Sequence, residues 1–352
     1  MTQTMPSQRW WATVFHVGPH AGAHGTALRA SLAILVPLAV CRASGRDDLL
    51  LYAAIGAFTA LYGRHEPARV RLRMQGQAGA LLVAGVILGA LIASVPFRLW
   101  LLVPVATLWA GVSVVLAERG RWHPVGALNP VFALTASATV PMTPNTVPAA
   151  ALAAAGAAVV ALLLALPGCR RQAEPGAPAP AARAPEPPDS VARHVSRYVL
   201  GIGAAGLAVA ISGIGHPYWT FVTASVPMSA PDLHARLARA AQRVIGTATG
   251  LGVAALVLAA HPTGYPAIMV IAVLQACTEL TTARNYSLGL VFFTPMALVL
   301  GDLMLPASIG TLLTQRALQT VLGLTIALAA TLLTHERRTP TSRVATLLGE
   351  AR

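Results

Sequence analysis

The residues able to handle an ion are concentrated in one stretch. In His234–Ala260, HARLARAAQRVIGTATGLGVAALVLAA, Arg236, Arg239 and Arg243 run without a break into small and aliphatic residues. On a helix Arg239, Arg243, Gly246 and Gly250 follow at steps of four, three and four, so they share one face. Guanidinium groups at a membrane mouth, beside a groove of small residues, could hold an organic carboxylate through paired N–H donors. The same pattern also suits anchoring at lipid headgroups with close packing of Gly76, Gly246 and Gly250 against neighbouring helices. Gly76 belongs to an earlier version of the stretch, ARVRLRMQGQAGALLVAGVILGALIAS. There Arg69, Arg73 and Gly76 match Arg239, Arg243 and Gly246. Arg73 and Arg243 stand deepest before their apolar runs, which makes them the arginine candidates for a substrate anion.

Carboxylates near the apolar runs are few: Asp47, Asp48, Glu118, Asp232, Glu279 and Asp302. Ionisable groups inside a bilayer are costly and tend to mark ion or substrate paths. Glu279 ends an apolar run in QACTELTTARN, among Gln275, Thr278 and Asn285. It could relay protons, or it could pair with Arg284 at the surface, as Glu118 could with Arg121. His216, opening HPYW, could titrate near neutral pH; alternatively it belongs with Tyr218 and Trp219 to an interfacial aromatic belt. Asn285 and Thr294 complete the polar candidates for a substrate route. Pro130 and Pro295 interrupt late apolar runs, where freed carbonyls could line a path or simple kinks could form.

The elements that would position these groups are membrane helices. Hydrophobic residues make up 55% of the chain, charged residues 11%, and the mean hydropathy is +0.65. Soluble domains carry roughly 25% charged residues, so this is an integral membrane protein. All 25 basic residues are arginine, and the net charge is +13. In a soluble protein that excess would suggest nucleic acid. Here the arginines lie between apolar runs with no soluble domain to present them, so nucleic-acid binding is not expected. Cys41, Cys169 and Cys277 fit neither a zinc spacing nor a disulfide framework. No HExxH, P-loop, GxSxG or CxxC occurs, so neither an enzyme nor a metal or cofactor is expected. The N-terminus shows no cleavable signal pattern.

Apolar runs of about 20 residues mark spans. Segments are expected at 27–42, 47–62, 73–94, 97–117, 123–140 and 147–166, then at 197–214, 216–231, 240–260, 264–281, 285–303 and 308–334. The architecture is all-α, with about 12 spans as two parallel six-helix repeats. Residues 1–26 form an N-terminal interfacial segment, 27–168 the first membrane half and 197–334 the second. A disordered Pro/Ala-rich cytoplasmic tether covers 169–196, and a cytoplasmic tail covers 335–352. Segments 27–42 and 216–231 are short for a span. Burial among neighbours or local thinning accommodates such a deficit, and a broken or half-inserted helix fits 216–231. With both termini in the cytoplasm, every arginine except Arg42, Arg46, Arg98 and Arg316 falls inside. That asymmetry supports an inner-membrane protein with an even number of spans in each half. GALNPVFALTAS also matches LGLVFFTPMALVLGD, Asn129-Pro130 against Thr294-Pro295.

The run G-x-x-HPYWTFVTASVPM, then R-x-x-x-R-V-I-G-T-x-x-G and NYSLGLVFFTPMAL, resembles the fusaric acid resistance (FUSC) family, whose relatives include bacterial aromatic carboxylic acid exporters. The likeness rests on Gly213, His216, Pro217, Tyr218 and Trp219; on Arg239, Arg243, Gly246, Thr247 and Gly250; and on Asn285, Tyr286, Thr294 and Pro295. The first half is a degenerate copy without HPYW. Larger members have a sizeable cytoplasmic domain between their halves, where this chain has only the short tether. The resemblance implies proton-coupled efflux of small aromatic acids. On that reading Arg73, Arg243, Asn285 and Thr294 hold the anion, and Glu279, Glu118 and His216 are the proton-coupling candidates. A passive anion channel or a non-transporting membrane partner are the alternatives. The partners are then the bilayer and a small organic anion, with a homo-oligomer left open.

Overall fold

Apolar runs fold as helices because hydrocarbon offers backbone N–H and C=O groups no partner outside the segment. The computed structural model describes residues 10–19, 23–64, 66–166, 188–213, 217–230 and 233–334. Among them are thirteen α-helices and no strand: α1 (Trp10–Phe15), α2 (His24–Ala43), α3 (Leu50–Ala57), α4 (Ala68–Ala93), α5 (Arg98–Arg119), α6 (Leu128–Ser137) and α7 (Val147–Ala165); then α8 (Pro188–Ser212), α9 (Tyr218–Met228), α10 (Leu233–Ala259), α11 (Gly264–Thr282), α12 (Tyr286–Met304) and α13 (Ile309–Leu333). Each of the twelve expected segments corresponds to one of α2–α13.

Nine of these described helices, α2, α4, α5, α7, α8 and α10–α13, are long and apolar enough to cross a membrane. The other three of α2–α13 are short, with eight residues in α3, ten in α6 and eleven in α9. At 1.5 Å per residue they reach only about 12–17 Å, against a hydrocarbon core of about 30 Å. Every residue of α3 and α9 is buried, and so is all of α6 after Leu128. Short helices are tolerated here because long neighbours screen them from lipid.

Several boundaries differ from the sequence reading. The segment expected at 27–42 becomes a 20-residue helix and is not short. The one expected at 123–140 contracts to Leu128–Ser137, because the residues before it are loop. Helix α8 already begins at Pro188, inside the tether expected over 169–196. The rest of that tether, the whole tail and residues 1–9 lie outside the described residues.

The packing repeats in chain order. In the first half α4 packs on α6 and α7, and α3 on α7; in the second, α10 packs on α12 and α13, and α9 on α13. The halves also interlock reciprocally, α2 against α11 and α8 against α5. These matched contacts are what a duplicated six-helix unit gives. The N-terminal arm lies on the second half, with α1 against α10. Gln242 donates to the carbonyls of Thr13 and Val14, and the Gly18 N–H to that of Arg284.

Candidate functional site

The two halves meet at a cleft of about 670 Å³, counting the space at its mouth. The first half contributes Phe58, Arg64 and Phe132, and the second Arg243, Glu279 and Phe293. Its polar groups come from the ends of helices near the arginine-rich side. Arg64 follows a turn through Gly63, whose φ of +65° suits a residue without a Cβ. Glu279 lies in the last turns of α11, one helical turn after Gln275. Arg243 is the eleventh residue of α10, about 15 Å along the helix.

Glu279 is 4% exposed and ion-paired with Arg64, Nη1 to Oε2 at 2.9 Å, across the boundary between the halves. Gln275 Nε2 donates to its other oxygen at 3.1 Å. The pairing with Arg284 expected from the sequence does not form. Arg284 is exposed, and its Nε donates to the Gly18 carbonyl at 3.3 Å.

Arg243 is 1% exposed. Its Nη1 donates to the Tyr286 hydroxyl at 3.0 Å and its Nη2 to Thr223 Oγ1 at 3.2 Å, while Nε has no partner. Arg239 lies 4.7 Å over the same tyrosine ring. Arg243 is thus a buried cation held by neutral groups, with donor capacity left over. A cleft with two arginines and one carboxylate is net positive, which suits an anion.

A second, much tighter space continues toward the opposite end and is lined by Trp219, Thr139 and Met304. Phe58, Phe132 and Phe293 line both cavities and so form the partition between them. Phe58 and Phe132 are 5.8 Å apart between centroids; Trp219 lies 5.7 Å from Phe132 and 6.3 Å from Phe293. Tyr218 and Trp219 are therefore core residues, 8% and 2% exposed. The interfacial belt is corrected, because α9 is wrapped on all sides.

The other sequence candidates fall into place one at a time. Arg73 is exposed and does not line the cleft. The buried arginine of α4 is Arg71, which donates to the carbonyls of Ala165 and Glu66. Arg71 is the fourth residue of α4 and Arg236, likewise buried and donating to the Ala230 carbonyl, is the fourth of α10. Arg71 and Arg236 thus share a helix position and a use, while Arg73 and Arg243, matched in the sequence, differ in burial and partners. Asn285 does not face the cleft. It caps α12 by accepting from Ser287 N at 2.8 Å, and its Nδ2 donates to the carbonyls of Val14 and His16. Thr294 is fully buried against Gly250.

Gly246 and Gly250 work as packing residues. A Cβ on Gly246 would collide with the Ser287 carbonyl, and one on Gly250 with the Leu290 carbonyl. Gly76 has open space around it and packs on nothing, whereas Gly89 brings α4 against α6. Glu118 does not pair with Arg121 but with His194 Nδ1 at 2.9 Å, joining α5 to α8 across the halves. His216 lies outside the described residues. Pro130 sits in the first turn of α6, where it bends nothing, and Trp109 Nε1 takes its carbonyl at 3.0 Å.

Arg64 and Arg316 were missed. Arg64 looked like one loop arginine among several, since its partner is 215 residues away. Arg316 was counted among the outside charges, yet it is 1% exposed within α13. Its position inside the apolar run TLLTQRALQTVLG was the available signal.

Residues 204–330 match the family model described as fusaric acid resistance protein-like. An uncharacterized membrane protein of Bacillus subtilis (strain 168), YvaC, is 31% identical over 142 residues, which is 40% of this chain and 22% of that protein. The match thus spans about a fifth of the length of this curated relative. No solved structure matches. The matched stretch contains α9–α12, Arg243 and Glu279, and bears out the resemblance read from the second half.

Proposed function

From the likeness of residues 204–330 to fusaric acid resistance proteins, we propose that this multi-pass membrane protein is a proton-coupled exporter of small aromatic carboxylates. It would lie in the inner membrane with both termini in the cytoplasm, so that the arginine-rich end of the cleft faces the cell interior. The observation that carries the reading is the cleft between the halves, where Arg243 is buried with an unused donor and the Arg64–Glu279 pair closes one wall. The lining suits a small organic molecule, since it is mostly apolar with a few convergent polar groups. A guanidinium matches a planar carboxylate, and the phenylalanines supply surfaces for an aromatic ring.

Each group has a part in this reading. Arg243 takes the anion by charge-assisted hydrogen bonds. Glu279 controls Arg64: ionised it holds the guanidinium, and protonated it releases it to the cleft. That makes proton occupancy and anion occupancy interdependent. Phe58, Phe132 and Phe293 keep the two cavities apart until the halves move relative to each other, as parallel repeats do about a shared axis. No step calls for bond chemistry, so the protein acts as a carrier and not as an enzyme.

Reconstitution into proteoliposomes tests this. With benzoate as the probe, the exporter moves it against its gradient when a pH gradient is imposed, and stops when the gradient is collapsed. An uncoupled benzoate current that ignores the pH gradient would replace the exporter with an anion channel.

A further inference from the structure

Among the described residues, a buried cation lies outside the groups used so far. Arg316 is the eighth residue of α13, about 10 Å along a helix that starts at the end away from the arginine-rich mouth. It is 1% exposed, and its Nε, Nη1 and Nη2 all lack a hydrogen-bond partner. Its charged neighbour is another cation, Arg243, and the remaining electrostatic neighbours are Tyr218 and Tyr286. Burying a cation without an acceptor is costly, and a chain keeps such a group only where something else offsets the cost.

Arg316 stacks on Trp219, with the guanidinium carbon 3.5 Å from the ring centroid. A cation over an indole face recovers part of the cost of burial. Stacking uses the flat face of the guanidinium and leaves its N–H edge free. That edge is the one that binds a carboxylate through two parallel hydrogen bonds. The location also suits a route. Trp219 lines the second cavity and contacts Phe132 and Phe293 of the partition, whereas Arg243 lines the first cavity. Arg316 therefore stands beside the partition, between the arginine of one cavity and the tryptophan of the other.

We propose that Arg316 and Trp219 form a second anion subsite, which receives the carboxylate of an aromatic acid after Arg243 and draws it past the phenylalanine partition. This rests on the transport reading above and names a step within it. Two guanidinium groups approached from opposite helix ends give the anion successive contacts, each weaker than a closed cage and so able to release it. In the empty protein the two cations repel, and the anion bridging them removes that repulsion.

The test is equilibrium binding of benzoate to the full-length protein in lipid nanodiscs, with chloride titrated in parallel and the melting temperature recorded without ligand. Arg316→Gln is expected to weaken benzoate about tenfold or more. It should leave the ligand-free melting temperature equal to or above that of the parent, because an uncompensated buried charge is gone. Arg316→Lys keeps the charge and the stem but loses the fork, so it should fold as the parent does and still bind benzoate more weakly. Unchanged benzoate affinity in both variants, or a lowered melting temperature in Arg316→Gln without a change in affinity, would make Arg316 a prop for Trp219 and overturn the proposal. Chloride binding that depends on Arg316 and does not compete with benzoate would overturn its assignment to the transported acid. Those outcomes leave the exporter standing. A parent protein that neither binds nor moves benzoate overturns both.

Discussion

The two halves share an order of helices and a pattern of contacts, yet they divide the chemistry unequally. In the first half the buried arginine, Arg71, donates to backbone carbonyls and helps close the end of its bundle. In the second, Arg236 has the same place and the same use, and a further arginine, Arg243, reaches seven residues deeper into the cleft. Glu118 and Glu279 both join the halves. Glu118 does so with a histidine away from either cavity, and Glu279 with an arginine in the cleft wall. Duplication thus supplies the scaffold, while two of the three charged groups lining the cleft, Arg243 and Glu279, sit in one copy. The first half contributes Arg64 and two of the three phenylalanines of the partition.

Paired substitutions sharpen that contrast. The largest difference is expected between Gly246→Leu and Gly76→Leu. The first drives a side chain into the Ser287 carbonyl and should abolish monodisperse protein in size-exclusion chromatography; the second meets open space and should leave the profile unchanged. Removing the partition is next. Phe132→Ala should join the two cavities and produce benzoate leak from loaded vesicles without a pH gradient, whereas Phe97→Ala, at an exposed apolar position, should not.

Glu279→Gln imitates the protonated acid. Flux should persist but lose its dependence on the pH gradient. Glu118→Gln, by contrast, should keep the coupling and lower stability by about 1 kcal/mol, seen as a small fall in melting temperature, because one hydrogen-bonded pair is weakened. Equal effects of the two carboxylate variants on coupling would erase the distinction between the copies.

Much of the scaffold was legible in the sequence. Twelve apolar segments, the duplication and the shortness of 216–231 follow from run length, whereas the belt read from Tyr218 and Trp219 gives way to burial inside the bundle. Packing through Gly246 and Gly250 was legible from spacing. Depth was less so. Arg73 and Arg243 both precede apolar runs, but their helices start at different distances upstream, so one faces outward and the other the cleft. Partner choice was not legible at all. Glu279 has Arg284 five residues away and takes Arg64 from the other half instead. Asn285 looked like a route-lining amide, yet the N-terminal arm, itself unremarkable in sequence, claims it. Counting charges by loop also hid Arg316, since that count assumes every arginine lies outside the bilayer.

The central claim is that an anion passes the arginine of the second copy and not that of the first. The direct measurement is the initial rate of pH-gradient-driven benzoate efflux in Arg243→Gln and Arg73→Gln, reconstituted at matched density. The account predicts a fall of about tenfold or more for Arg243→Gln, the loss of one charge-assisted contact, and no change for Arg73→Gln. Equal rates in the two variants would contradict it.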